Sequence, residues 1–244
     1  MELNAGVSTI NSLWIGAELS VLELLTLRSF VYHGHKFQMW VYEPLKTVIP
    51  AGVLLRDANE ILPASQIFQR SADIPGLTSG SGSLAPFSDL FRFKLLHEVG
   101  GWWVDMDITC LRPLWFNSEY VFRTHHELEI MGNIMKCPRG SELMRYAYSE
   151  SREKVNMHTA DWLAAQRILA QKVREEGLLI HRRNLCNLDV WEEVVTYIYD
   201  NQDLKPDWHV FHWCNEMWRG GGINKNVLTT GSTYARLATF FGLS

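Results

Sequence analysis

One segment constrains the fold of this chain more than any other: a run of helical length, a double glycine and a short apolar stretch that ends on two acids. Residues 84–99 are predicted to form a helix, and Gly100 and Gly101 end it. Residues 102–104 are predicted to form a short apolar strand with Asp105 directly after it. Because ligands bind beyond the carboxyl ends of strands in open α/β sheets, Asp105 is expected at a binding cleft.

The beginning of the chain predicts the same kind of fold. Residues 8–15 are predicted to form a buried strand that stops at Gly16, and residues 19–32 form an amphipathic helix with a period of about 3.6 residues. Two further short strands are expected at residues 36–42 and 53–55. This strand–helix–strand order is typical of a mostly parallel sheet, so the predicted fold class is α/β.

The rest of the chain is expected to complete a single domain that spans residues 1–244. A Gly/Ser-rich loop is expected at residues 79–83. The later predicted elements are strands at residues 120–123 and 129–135 and helices at residues 141–154 and 160–176. The two helices would form a helical addition to the sheet, over residues 141–177.

Composition excludes several classes of function. The formal net charge is −4 and the chain has no run of Lys and Arg, so no nucleic-acid partner is expected. The four cysteines form no Cys-x-x-Cys pair, which disfavours a zinc knuckle and favours a reduced intracellular setting. Neither a signal peptide nor a stretch of about eighteen apolar residues is found, so a cytoplasmic location is expected.

The acid pair predicts a metal site. Asp105 and Asp107 are two residues apart, and in an extended chain such residues point to the same side. Two carboxylates this close repel each other unless a cation lies between them. Mg²⁺ and Mn²⁺ prefer oxygen ligands and could bridge the pair to a diphosphate. A bare Asp-x-Asp is also compatible with the start of an ordinary surface loop.

The helix that precedes the strand carries a second pair. Asp89 and Arg92 are three residues apart and share one helix face. A carboxylate beside a guanidinium can accept from one sugar hydroxyl and donate to its neighbour. Gly100 and Gly101 would bring this pair over Asp105. The alternative is an ordinary surface ion pair, which contributes only about 0.2–0.5 kcal/mol.

Together these residues form the pattern Ser88-Asp89-x-x-Arg92, followed by Gly100-Gly101-x-Trp103-x-Asp105-x-Asp107. The pattern resembles the sugar-binding region of glycosyltransferase family 32. The resemblance implies a GT-A fold, which is Rossmann-like, with helices on both sides of a mixed sheet. It also implies transfer of a hexose from a UDP- or GDP-sugar to a hydroxyl group, with retention of configuration. The implied cofactor is Mn²⁺ or Mg²⁺.

The resemblance also implies the catalytic and metal-binding residues. Asp107 would bind the cation directly, and Asp105 would contact the cation, the ribose or the sugar. His212 resembles the family's C-terminal histidine and would be a further metal ligand or a diphosphate contact. His209 and Asn215 remain alternatives for that place. The implied catalytic residues are Asp105, Asp107, Asp89 and Arg92.

The implied substrate contacts come from both halves of the chain. Trp14 would stack on the base, Asn133 would lie near the sugar or the acceptor, and Trp218 would donate its indole N–H to the β-phosphate. The implied set is Trp14, Ala85, Ser88, Asp89, Arg92, Trp103, Asn133 and Trp218. Residues 1–113 would thus bind the nucleotide sugar, and residues 114–244 would bind the acceptor.

Loops are expected to complete the site. Gly220, Gly221 and Gly222 form a triple glycine between Arg219 and Lys225, and this loop could close over the diphosphate and exclude water. Acceptor contacts are expected from residues 124–128 and 157–162. The acceptor would be a saccharide or a lipid-linked saccharide, which is compatible with work at the inner face of the membrane.

Two other functions fit parts of the sequence. Val104-Asp105-Met106-Asp107-Ile108-Thr109 matches the Asp-x-Asp-x-Thr signature of haloacid-dehalogenase-type phosphatases, in which the first Asp is a nucleophile. That signature usually lies near the N-terminus, and no downstream Asp pair accompanies it here. The other alternative is a non-catalytic sugar-binding homologue. The intact acid pair and Arg92 disfavour it.

Overall fold

The computed structural model describes residues 9–77, 80–178 and 184–243. Ser79 of the expected Gly/Ser-rich loop and Ser8 of the first expected strand lie outside these residues. The elements, in chain order, are β1 (Ile10–Trp14), α1 (Val21–Tyr32), β2 (Phe37–Val41), β3 (Val53–Asp57), α2 (Ala85–Glu98), β4 (Gly101–Val104), β5 (Ile108–Cys110), β6 (Val121–His125), β7 (Glu129–Cys137), α3 (Glu142–Lys154), α4 (Ala164–Glu175), α5 (Trp191–Tyr199), β8 (Val210–His212), α6 (Asn215–Gly220) and α7 (Thr233–Phe240).

A six-stranded mixed sheet forms the centre, with the strand order β3-β2-β1-β4-β7-β6. The first four strands of this order are parallel, whereas β7 runs antiparallel to β4 and β6 antiparallel to β7. The predicted α/β class with a mixed sheet flanked by helices is therefore confirmed. A separate two-stranded sheet, β5 with β8, was not expected. Its strands have only three residues each, which is too short for a periodic signal.

Alternating residues of the central strands feed two apolar clusters, one on each face of the sheet. Trp103 packs with α2 and the helical addition on one face, while Trp102 and Val104 pack with α1 on the other. Ser20 and Glu23 form a capping box that begins α1. The core thus fixes which side of β4 carries each side chain.

The double glycine is required by the backbone at the junction of α2 and β4. Gly100 has a φ of +72° and Gly101 a φ of +90°, both in the left-handed region. A Cβ at Gly100 would lie 2.4 Å from the Arg139 backbone nitrogen, and one at Gly101 would lie 2.7 Å from the Thr9 carbonyl oxygen. The tight connection predicted from the two glycines is present, and it places the end of β4 beside α2.

The expected helical addition consists of α3 and α4, which pack against α2 and against each other. Helix α4 begins at Ala164 and not at the predicted residue 160: residues 160 and 161 are irregular, and residues 162 and 163 form a turn. Helices α5, α6 and α7 were not expected. In residues 9–77, 80–178 and 184–243, no helix has both the length and the apolar character that a membrane crossing needs.

Candidate functional site

A cavity of about 910 Å³ opens where β1 and β4 end, between α2, β7 and α6. The predicted site residues converge on it. Those that line its wall are Trp14, Ala85, Ser88, Asp89, Arg92, Trp103, Asp105, Asp107, Asn133, His212, Asn215 and Trp218. His209 packs elsewhere: its ring contacts Phe116, and its Nδ1 lies 3.1 Å from the Pro113 carbonyl oxygen.

The acid pair reaches the cavity through a turn and not through extended chain. Strand β4 ends at Val104, and Met106 and Asp107 lie in a turn. Both carboxylates still line the cavity, but they have different partners. Asp105 belongs to a cluster on the α2 side, and Asp107 belongs to a cluster on the α6 side.

Asp89, Arg92 and Asp105 form the first of these, the Arg92 cluster. The Nη2 atom of Arg92 lies 3.3 Å from Asp89 Oδ1 and 3.0 Å from Asp105 Oδ1. Arg92 also donates from Nη1 to the Gly132 carbonyl oxygen at 2.8 Å, and its guanidinium lies 5.1 Å from the ring centre of Trp103. Arg92 is 4% exposed. The alternative of an exposed surface ion pair is therefore excluded.

Gln166 connects the helical addition to the Arg92 cluster, a contact that the sequence did not indicate. Its Nε2 donates to Asp89 Oδ1 at 2.6 Å, and its Oε1 accepts from the Gly132 N–H at 2.8 Å. Burial raises the pKa of Asp89 to about 6, and the negative charge of Asp105 adds to that rise, while Arg92 opposes it. Gln166 also stabilises the ionised form of Asp89 by donating to it.

Asp107, His212, Asp189 and Arg123 form the second group, the His212 cluster. The imidazole lies between two carboxylates: its Nε2 is 3.2 Å from Asp107 Oδ2, and its Nδ1 is 2.6 Å from Asp189 Oδ1. Arg123 donates from Nη1 to Asp189 Oδ1 at 3.0 Å. Asp107 Oδ2 also accepts from the backbone N–H of Asn215 at 2.7 Å.

Charge is balanced within the His212 cluster. Burial alone would lower the pKa of His212, but the carboxylates of Asp189 and Asp107 hold it well above its usual value. The pKa values of Asp107 and Asp189 are lowered despite burial, chiefly by the His212 cation. Two anions thus face two cations. Asp189 and Arg123 were missed because they lie far along the chain from the acid pair and belong to no motif.

The donor set beside the two clusters fits a magnesium or manganese ion. Asp105 Oδ1 accepts from Trp103 Nε1 at 2.7 Å, and the carboxylates of Asp105 and Asp107 both face the cavity. Asn133 is buried in the same wall, and neither polar atom of its side-chain amide has a hydrogen-bond partner among the described residues. The amide oxygen of Asn133 and the carboxylate oxygens of Asp105 and Asp107 thus share one cavity. Magnesium and manganese ions prefer oxygen ligands of these kinds.

The two tryptophans predicted to contact the nucleotide have different surroundings. Trp14 lines the cavity, donates from Nε1 to the Glu18 carbonyl oxygen at 3.2 Å, and has Lys225 Nζ 5.7 Å from its ring centre. Trp218 donates its indole N–H to the Trp213 carbonyl oxygen at 2.6 Å. A phosphate contact from Trp218 stays a prediction that would require this bond to break.

The loop predicted to close over the site carries cations that already have partners. Lys225 Nζ lies 2.5 Å from Glu23 Oε1, and Arg219 Nε donates to Glu216 Oε1 at 3.1 Å. A diphosphate contact from either would replace these ion pairs. His126 and Trp162, which also line the cavity, come from the two segments predicted to hold the acceptor.

Comparisons with known proteins do not assign this chain to a family. No family model matches the chain, and no curated protein matches its sequence. A solved structure described as the PaToxG glycosyltransferase is 13% identical, with a TM-score of 0.49, and the match covers 69% of each chain. A transferase solved with two cysteine-to-serine substitutions is 10% identical, with a TM-score of 0.42, over 71% of this chain and 86% of that one. Likeness at this level carries no argument about function.

Proposed function

We propose that this protein is a metal-dependent glycosyltransferase that moves a hexose from a UDP- or GDP-sugar to a hydroxyl group of a saccharide or lipid-linked acceptor. The observation that carries the proposal is the buried Arg92 cluster, which lies against the acid pair at the carboxyl end of β4. If Asp89 and Arg92 were only a surface ion pair, and the two later acids only the start of a loop, nothing would bring both pairs into one cavity. The family 32 resemblance of the motif supports the same function.

In this proposal Asp105 and Asp107 hold Mn²⁺ or Mg²⁺ through carboxylate oxygens, and His212 presents Nε2 from the side of Asp107. Asp189 orients the imidazole of His212 by accepting from its other ring nitrogen, Nδ1. A metal-bound histidine is usually oriented by a carboxylate in this way. The bound cation would neutralise the charge that develops on the leaving nucleoside diphosphate. Asn215 keeps Asp107 in place through its backbone N–H.

The Arg92 cluster is proposed to hold the sugar. Asp89 accepts from one hydroxyl and Arg92 donates to another, while Gln166 fixes the orientation of the Asp89 carboxylate. The unpartnered amide of Asn133 can bond to a sugar hydroxyl or to the acceptor. Because the pKa of Asp89 is about 6, most of this residue is ionised near neutral pH.

The nucleotide is proposed to occupy the end of the cavity at β1. Trp14 offers a ring for the base, and Ala85 and Ser88 line the wall of the cavity at the beginning of α2. No protein base is assigned, since in retaining transfer of this kind the leaving phosphate can itself take the acceptor proton. The bound cation would then stabilise the negative charge that develops on the leaving phosphate.

The direct test is a panel of UDP- and GDP-sugars with Mn²⁺, scored by release of the free nucleotide. We expect release from one donor by the wild-type protein, and none by Asp107→Asn even with excess Mn²⁺. Asp73→Asn, at an exposed acid that does not line the cavity, is the matched control and should keep the wild-type rate. Cleavage of small phosphate esters without nucleotide-sugar turnover would favour a phosphatase. Sugar binding without any release would favour a sugar-binding module.

A further inference from the structure

Three side chains of different chemical kinds meet in the wall of the cavity: Asp189, His212 and Cys214. The Sγ atom of Cys214 lies 3.6 Å from His212 Nδ1 and 3.9 Å from Asp189 Oδ1. Nδ1 and Oδ1 are themselves 2.6 Å apart. All three atoms therefore surround one point on the side of the imidazole that faces away from Asp107.

These separations are close to those of a tetrahedral zinc site. Zinc–sulfur bonds are about 2.3 Å and zinc–nitrogen or zinc–oxygen bonds about 2.0–2.2 Å, so neighbouring corners lie about 3.3–3.6 Å apart. The two separations that involve Cys214 are within a few tenths of an ångström of this range. The third is a hydrogen bond, which would lengthen when a metal replaces its proton.

The kind of ligand atom also separates this place from the acid pair. Magnesium and manganese take oxygen ligands, whereas sulfur, nitrogen and oxygen together are typical of zinc. We propose that Asp189, His212 and Cys214 form a Zn²⁺ site, distinct from the cation site at Asp105 and Asp107. Its fourth position opens to the cavity, which all three side chains line.

Binding of zinc would leave the net charge of the wall unchanged. Each ring nitrogen of His212 faces a carboxylate oxygen and donates to it, so zinc displaces the proton on Nδ1 to solvent, and the thiol of Cys214 releases its own. These two losses offset the two positive charges of the ion. The buried wall therefore takes up no new net charge.

Arg123 does not block the site. It donates to Asp189 Oδ1 at 3.0 Å, and a carboxylate oxygen has a second lone pair for a metal. Its Nη2 is bonded to the Asn187 carbonyl oxygen at 2.9 Å, so the guanidinium is anchored where it is. Arg123 then orients the carboxylate ligand from the second coordination sphere.

Zinc at this site would prevent His212 from binding the cation held by Asp105 and Asp107, a consequence that rests on the proposed function. With zinc on Nδ1, the remaining imidazole proton lies on Nε2 and points at Asp107 Oδ2, 3.2 Å away. His212 can then no longer offer Nε2 to a second metal. Zinc should therefore inhibit turnover that depends on Mn²⁺.

The site itself is tested without any activity, by titrating the purified protein with Co²⁺ as a spectroscopic probe for zinc. We expect one Co²⁺ per chain with a thiolate-to-cobalt charge-transfer band, and loss of that band when Zn²⁺ is added. Cys214→Ser should abolish the band, and Asp189→Asn should weaken Co²⁺ binding about tenfold or more. Circular dichroism and thermal unfolding confirm that each variant is folded.

Cys186→Ser is the matched control, since this neighbouring buried thiol donates instead to Asn187 Oδ1 at 3.2 Å. It should keep the band. Absence of a thiolate band in the wild-type protein, or a band that survives Cys214→Ser, would overturn the zinc site.

A separate activity arm distinguishes the two proposals. We expect stoichiometric Zn²⁺ to lower Mn²⁺-dependent nucleotide release by the wild-type protein but not by Cys214→Ser. A cobalt band without nucleotide release would leave the zinc site standing and remove the transferase proposal. A cobalt band and nucleotide release that zinc does not inhibit would overturn the proposed competition for His212.

Discussion

The two buried charge clusters of the cavity differ in how they are built and in how their charges balance. The Arg92 cluster comes from one stretch of chain, and its single cation faces two carboxylates. The His212 cluster comes from four separate segments, and its two cations face two carboxylates. In the Arg92 cluster burial raises the pKa of Asp89 despite the nearby cation, whereas in the His212 cluster the His212 cation lowers the pKa of both acids despite burial.

Because of this difference, we expect the Arg92 cluster to bind ligands and the His212 cluster to position Asp107. An excess of negative charge beside an orphaned amide attracts a cation or a polyhydroxyl ligand. A network whose charges balance instead keeps Asp107 in one position, through His212 Nε2 and the backbone N–H of Asn215. The Arg92 cluster is therefore the place where a ligand should change stability most.

The largest expected effect follows removal of the single cation of the unbalanced cluster. Arg92→Met leaves the carboxylates of Asp89 and Asp105 without a cation and should lower the free energy of unfolding by about 3–5 kcal/mol. Arg123→Met should cost less, because His212 still balances Asp189. Denaturant unfolding measures both, with Arg219→Met as an exposed control worth about 0.5 kcal/mol or less. An equal cost for Arg92 and Arg123 would remove the distinction between the clusters.

The next effect is a pH dependence of stability that the raised pKa of Asp89 produces. In the pH range between its unfolded value of 3.8 and its folded value of about 6, the folded state holds a proton that the unfolded state has released. The stability from this group is therefore fully present at low pH and is lost as the pH rises through about 6. Relative to Asp89→Asn, we expect the wild-type unfolding free energy to fall by about 3 kcal/mol over this range. Parallel stability curves for the two proteins would contradict the assignment.

The smallest effect concerns the link between the helical addition and the Arg92 cluster. Gln166→Leu leaves Asp89 and the Gly132 N–H each without one hydrogen-bond partner, at a cost of about 1–2 kcal/mol. The same change should raise the KM for the donor more than it lowers kcat, because it loosens a sugar contact. Gln171→Leu, an exposed position on the same helix, should change neither quantity. If kcat alone fell, Gln166 would have another role.

The parts of the fold and site that residue chemistry alone predicted lie close together along the chain, whereas the distant His212 was implied by the family resemblance. The double glycine and the apolar run before Asp105 predicted the junction of α2 and β4, because local backbone chemistry sets it. Asp189 and Gln166 were not predicted, since their partners lie far away in sequence and no motif marks them. The short strands β5 and β8 were not predicted either, because a strand of three residues is too short to show a periodic pattern.

In the proposed function, Asp105 and Asp107 share a divalent cation with the diphosphate of a nucleotide. This sharing is tested most directly by isothermal titration of UDP and GDP into the protein, with and without Mn²⁺. We expect one nucleotide to bind tightly only when Mn²⁺ is present, and Asp107→Asn to remove the effect of Mn²⁺. Nucleotide binding of equal strength with and without the cation, or an Mn²⁺ effect that survives in Asp107→Asn, would contradict it.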